Sequence, residues 1–98
     1  MDINKSCDNH CIMNKSELMD AIRQDIRGEL EAIIQYDTHI RHTDNKLAKE
    51  VWTHIRDEER VHVGELFTLL ATLCPEEAKL FAKGEREVKE MIKEMDCD

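Results

Sequence analysis

Two runs of side chains at steps of three and four residues constrain this chain more than anything else in it. The first is Leu18, Ile22, Ile26, Glu29, Ile33, Tyr36 and Ile40. The second is Leu47, Val51, Ile55, Glu59, His62, Leu66, Leu69 or Leu70, and Leu73. Such steps repeat one face of a helix, so each run predicts a long helix with an apolar seam turned toward a core. Each seam is interrupted in its middle by groups that are costly to bury alone: Glu29 in the first, Glu59 with His62 in the second. Glu59 and His62 form an i, i+3 pair on one side of their helix and can grip one cation together. A metal ion is the obvious partner for such groups; the alternatives are a solvated charge run at Glu58-Glu59-Arg60 and a hydrogen-bonded core histidine at His62.

The punctuation around these runs predicts three helices, near residues 17–42, 45–73 and 76–95. Ser16 is the expected N-cap of the first, with Glu17 and Asp20 in the turn where the helix dipole favours acids. Gly28 weakens that helix by about 1 kcal/mol relative to alanine, but would let another helix come close beside Glu29. Thr43-Asp44-Asn45 reads as a tight turn, and so short a connection makes the first two helices an antiparallel hairpin. Pro75 suits the first turn of the third helix. That helix carries Phe81, Val88, Met91, Ile92 and Met95 on a more broken stripe and is expected to pack outside the hairpin. Trp52 is expected to pack against it or against a neighbouring dimer. The fold class is therefore all-α: residues 1–15 as a flexible arm, residues 16–95 as the helical domain, residues 96–98 as a tail.

At 98 residues, with 37% charged and 4% aromatic side chains, the chain has difficulty closing a core of its own, and oligomerisation is expected. The formal charge of −8 argues against nucleic acid, whose phosphates would want a basic face. No apolar run approaches the roughly twenty residues of a membrane span and no signal peptide opens the chain, which makes cytoplasm the expected location. Cys7, Cys11, Cys74 and Cys97 are scattered. Cys7 and Cys11 lack the second half of a zinc or rubredoxin-type site, so an unstructured reduced arm is expected there.

Ligand counting then predicts the assembly. A di-iron carboxylate bundle takes a glutamate from each of two helices and a Glu-x-x-His pair from each of two more. This chain holds half of that set in Glu29, Glu59 and His62, and nowhere repeats the Glu-x-x-His. An isologous dimer would supply the whole set and close a four-helix bundle. Carboxylates with one imidazole per ion and no thiolate suit iron or manganese, and zinc or calcium could occupy the site in vitro. The imidazole must be neutral to ligate, so binding competes with protons. Tyr36, on the face of Glu29, could hydrogen-bond a ligand, or could be an ordinary core tyrosine. Glu31 and Glu58 are weaker candidates, as surface carboxylates or along a cation's approach. His39, His42 and His54 read as surface residues.

Gly28-Glu-Leu-Glu-Ala-Ile-Ile-Gln-Tyr36, followed by Asp57-Glu-Glu-Arg-Val-His-Val-Gly-Glu-Leu66, resembles the encapsulated ferritins, including the ferritin-like segments fused to archaeal encapsulin shells. The resemblance covers residues 16–95. It implies half a ferritin per chain, a ferroxidase centre at the dimer interface, and a decameric ring of five dimers. It also implies an encapsulin shell, and so a place inside a nanocompartment where the mineral collects. It makes Glu29 the bridging carboxylate, Glu59 and His62 the remaining ligands, Tyr36 the tyrosine near the site, and Glu31 an access residue. The chain departs from the pattern at Gln35, where some relatives carry tryptophan, and at Gly28, where some carry an acid. Two other readings compete with the ferroxidase. One is a rubrerythrin-like peroxidase on the same centre, which would need an electron-transfer partner. The other is an assembly module in which metal merely staples the dimer.

Overall fold

The computed structural model describes residues 12–96; most of the expected arm, with Cys7 and Cys11, and the last two residues, with Cys97, lie outside them. Three helices follow one another: α1 (Lys15–Arg41), α2 (Lys46–Leu73) and α3 (Pro75–Asp96). All three fall within two residues of the expected bounds.

The cap of α1 is not Ser16 but Asn14. Its Oδ1 accepts from the Glu17 backbone N–H at 2.8 Å, and Glu17 Oε1 accepts from the Asn14 N–H at 2.9 Å. This reciprocal pair satisfies two amides that the helix would leave unbonded. A cap at Ser16 would put Met19, which has no carboxylate, at the reciprocating position. At the other end the His42 N–H donates to the His39 carbonyl at 3.1 Å. Asn45 then caps α2 by accepting from the Ala48 N–H at 2.9 Å. Pro75 opens α3, where its missing N–H is no loss, and Glu76 and Glu77 fill the first turn.

The α1–α2 hairpin is closed at one end by apolar packing. Met19, Ile22 and Ile26 of α1 and Leu70 of α2 are the buried hydrophobic residues among those described, with Leu66 and Cys74 packed against them. Here one expectation is corrected and one open choice is decided. Met19, not Leu18, takes the inward position, and of the two leucines left open it is Leu70 (2% exposed), not Leu69 (42%), that faces α1. Leu47 and Val51, expected in a buried seam, are exposed, because a lone hairpin covers one flank of each stripe and leaves the other open. Leu70→Ala is therefore expected to destabilise the hairpin by about 3 kcal/mol, the cost of a collapsed or partly empty leucine site. Urea unfolding followed by circular dichroism, at matched protein concentration, checks it.

Helix α3 lies outside the hairpin, as expected. It meets α2 through Phe67 and Phe81, whose rings stand edge to face at 5.7 Å. It meets α1 through an Arg23–Glu77 ion pair at 2.7 Å. Beyond Phe81 its Val88, Met91, Ile92 and Met95 are all more than half exposed. The radius of gyration is 19.0 Å, against about 13 Å for a compact chain of this size. Among the described residues no helix is long and apolar enough to cross a membrane.

Candidate metal centre

Between the apolar end of the hairpin and its turn, α1 presents Glu29 to Glu59 and His62 of α2. His62 Nδ1 stands 3.5 Å from Glu29 Oε2 and 3.7 Å from Glu59 Oε2. One donor atom from each of the three lies within 4.8 Å of the others, the one such group of potential ligands found among the described residues. Two ligands bonded at about 2.1 Å to one ion, and spread by about 110–120°, leave close to 3.5 Å between them. The observed spacing thus suits a shared cation better than it suits hydrogen bonds.

The environment points the same way. The side chains of Glu59 and Glu29 are only 19% and 24% exposed, and Glu29 Oε2 is fully buried with no hydrogen-bond partner. A carboxylate oxygen in that position carries an unrecovered desolvation cost unless a cation or proton reaches it. His62 is about half exposed (47%), so the set opens on one side rather than closing around an ion. Two oxygens and one imidazole nitrogen, with room for further ligands, form a donor set of the iron or manganese type.

The other candidates stand apart from this group. Glu31 pairs with Arg27 at 3.3 Å, and Glu58 with His54 at 3.3 Å, both pairs largely in solvent. Tyr36 lies edge-on to the ring of His39 at 6.3 Å, and no hydrogen bond joins it to the three ligands among the described contacts. His39 itself corrects the sequence reading. It is half-buried, its ring rests 5.0 Å from that of Trp52, and its Nδ1 is buried without a partner. Trp52 accordingly packs on α1 rather than on α3. His42 and His54 are exposed, as expected.

Two features of the site escaped the periodicity argument. Arg56, which precedes Glu59 by three residues, donates from Nη1 to Asp37 Oδ1 at 2.9 Å and also holds Asp57. The hydrogen bond to Asp37, then that to Asp57, raise its pKa above the usual arginine value. The pair ties α1 to α2 on the turn side of the site, as the apolar cluster does on the other side. The second feature is a cleft of about 370 Å³ leading to the carboxylates, lined by Gln24, Asp25, Gly28, Glu29, Glu59 and Leu66. Its one sequence signal was the i, i+4 spacing of Asp25 and Glu29. A Cβ placed on Gly28 would meet nothing within 4 Å, so in the single chain no helix approaches there.

Comparison with known proteins places these features in context. No family model matches the chain. It is 46% identical over 66 residues to the encapsulin nanocompartment cargo protein EncC of Myxococcus xanthus, a match covering 67% of this chain and 51% of that protein. It is 36% identical over 77 residues to a ferritin-like–encapsulin shell fusion protein of Pyrococcus furiosus, covering 79% of this chain and 22% of that one. The chain thus spans about half the length of the first of these relatives and far less of the second. The fold superposes on the crystal structure of the encapsulated ferritin domain from Pyrococcus furiosus with a TM-score of 0.77 and 35% identity, over 81% of each chain.

Proposed function

The chain belongs to the encapsulated ferritin family, and on that premise we propose that it is a ferroxidase whose centre is completed by a second copy of itself. What carries the reading is the meeting of Glu29, Glu59 and His62 on an open face, with Glu29 Oε2 buried and unsatisfied. Three donors are too few for two cations. An isologous partner, related by a two-fold axis, would bring three more, with the Glu29 carboxylates bridging the two ions.

Residues on the same stripe support such a partner. Leu69 and Leu73, two and three turns beyond His62, are 42% and 37% exposed, an apolar strip continuous with the ligands. The open face of α3 allows dimers to associate further, and a decameric ring is the assembly proposed. The substrate is ferrous iron. Carboxylates and imidazole hold two such ions side by side, each yields one electron, and dioxygen takes both with two protons to give hydrogen peroxide. Ferric product leaves for mineralisation elsewhere. The relatives' names, a nanocompartment cargo protein and a shell fusion, support a place inside an encapsulin shell.

The test is to mix the protein with ferrous iron under air, follow ferric absorbance, and repeat without oxygen using hydrogen peroxide. Fast oxidation by dioxygen, at two ferrous ions per pair of chains, is expected. Turnover with peroxide alone would replace the ferroxidase by a peroxidase. Tight metal retention with no oxidation by either would leave only a metal-stapled assembly.

A further inference from the structure

Glu29 meets Glu59 and His62 only while α1 and α2 keep one register, and apolar contact does not fix a register finely. The packing of Met19, Ile22 and Ile26 on Leu70 is non-directional and lies at one end of the hairpin. A directional contact lies on the other side of the ligands. Arg56 Nη1 donates to Asp37 Oδ1 at 2.9 Å, and the two side chains are only 20% and 31% exposed. Among the described residues this is the one ion pair between α1 and α2 apart from that of Glu29 with His62. Asp57, on α2 itself, accepts from Arg56 Nε at 3.3 Å and Nη2 at 3.2 Å, so the guanidinium is held with Nη1 aimed at α1.

The ligands are a short way from this pair along each helix. Glu59 follows Arg56 by three residues and His62 follows it by six, which is about 4.5 and about 9 Å of rise; Glu29 precedes Asp37 by eight, about 12 Å. At about 100° per residue, Arg56 stands about 60° from Glu59 on one side of α2, whereas His62 and Leu69 lie on the other side. The pair therefore sits on the flank of α2 turned away from the face proposed for a second copy.

We infer that Arg56 is a positioning residue: joined to Asp37, it sets the rise and rotation of α2 against α1 that bring Glu59 and His62 to Glu29. It is not among the three groups that would hold a cation, and the assignment rests on the metal reading given above. A lysine could reach Asp37 as a point charge but has no fork with which to hold Asp57 as well.

Anaerobic titration with cobalt(II), read by its visible absorption bands, tests this on the full chain, with Glu59→Ala defining the signal of the three-ligand site. Arg56→Gln and Asp37→Asn should each weaken cobalt binding by about 10–100-fold and shift those bands, because the donor atoms no longer converge as in the parent. The double variant should lose no more than either single one, since the two residues act as a unit. Arg56→Lys should recover part of the loss, and Arg23→Gln, which breaks the α1–α3 pair, should leave affinity and bands as in the parent. Parent-like cobalt binding in Arg56→Gln and Asp37→Asn, even at a lower melting temperature, overturns the positioning role while the metal site stands. Equal loss in Arg23→Gln, or additive losses in the double variant, overturns it too. Should Arg56→Gln lose its helicity, Asp37→Asn, which leaves the guanidinium on Asp57, carries the same test. If Glu59→Ala leaves the parent's cobalt signal intact, the metal site itself fails and the positioning role fails with it.

Discussion

Glu29→Ala should lower the initial rate of ferrous iron oxidation by at least about a hundredfold and raise, not lower, the stability of the metal-free protein. The first effect follows from position. Glu29 is the one candidate ligand on α1, so its loss would remove a carboxylate from the proposed centre in both copies of the proposed dimer. Loss of a residue that merely orients a ligand already costs about 10–100-fold in metal affinity or activity, and a direct ligand should cost more. The second effect follows from burial. Without a cation, Glu29 Oε2 is a buried oxygen with no hydrogen-bond partner, and alanine removes it while being the better helix former. The order of the melting midpoints should therefore invert: slightly higher for the variant without metal and unmoved when metal is added, whereas the parent gains stability from binding and overtakes it. Helicity by circular dichroism should be unchanged, since the core of Met19, Ile22, Ile26 and Leu70 is untouched. An oxidation rate equal to the parent's would end the ferroxidase assignment for this site.

Leu69→Asp is expected to separate the copies and empty the site together. Leu69 shares the ligand stripe, stands seven residues past His62, and remains 42% exposed beside a neighbour, Leu70, that is buried. Burying a leucine contributes about 1.5–3 kcal/mol. A two-fold interface uses each residue twice, so the change should weaken association by roughly 3–6 kcal/mol, or about two to four decades in dissociation constant. An aspartate there adds a desolvation cost on top. Sedimentation velocity should show the mass falling to that of single chains, and equilibrium dialysis should show ferrous iron binding lost with it. Helix content should persist, because position 69 lies off the α1–α2 contact. Single chains that still bind two ferrous ions each would show that no second copy is needed.

These two variants also show where sequence reasoning reached and where it stopped. The three helices were readable because capping groups, a proline and a three-to-four-residue period are local signals, set by bonds within a few residues. Glu29, Glu59 and His62 stood out for a related reason: a charged or polar group inside an apolar stripe is anomalous wherever the helix finally packs. The period could not choose between Leu69 and Leu70. Successive residues differ by about 100° around a helix, so both border the same stripe, and only the seating of α1 against α2 decides which one it covers. Met19 displaced Leu18 from the core in the same way.

His39 and Trp52 meet across the hairpin, as do Asp37 and Arg56. Neither pair is foreshadowed by spacing along the chain, because the partners belong to different helices and their meeting depends on register. The cleft joining Asp25 to Glu29 and Glu59 is likewise a property of two helices together. Sequence alone determined the helices, the short turn that pairs them and the three side chains that cannot be buried unpartnered, since each of these is decided within a few turns of one helix. Tertiary structure decided which flank of each stripe is covered, which stays open, and which carboxylates line one cleft. Those outcomes follow from how two amphipathic surfaces mesh, and the pattern on either surface does not contain that information.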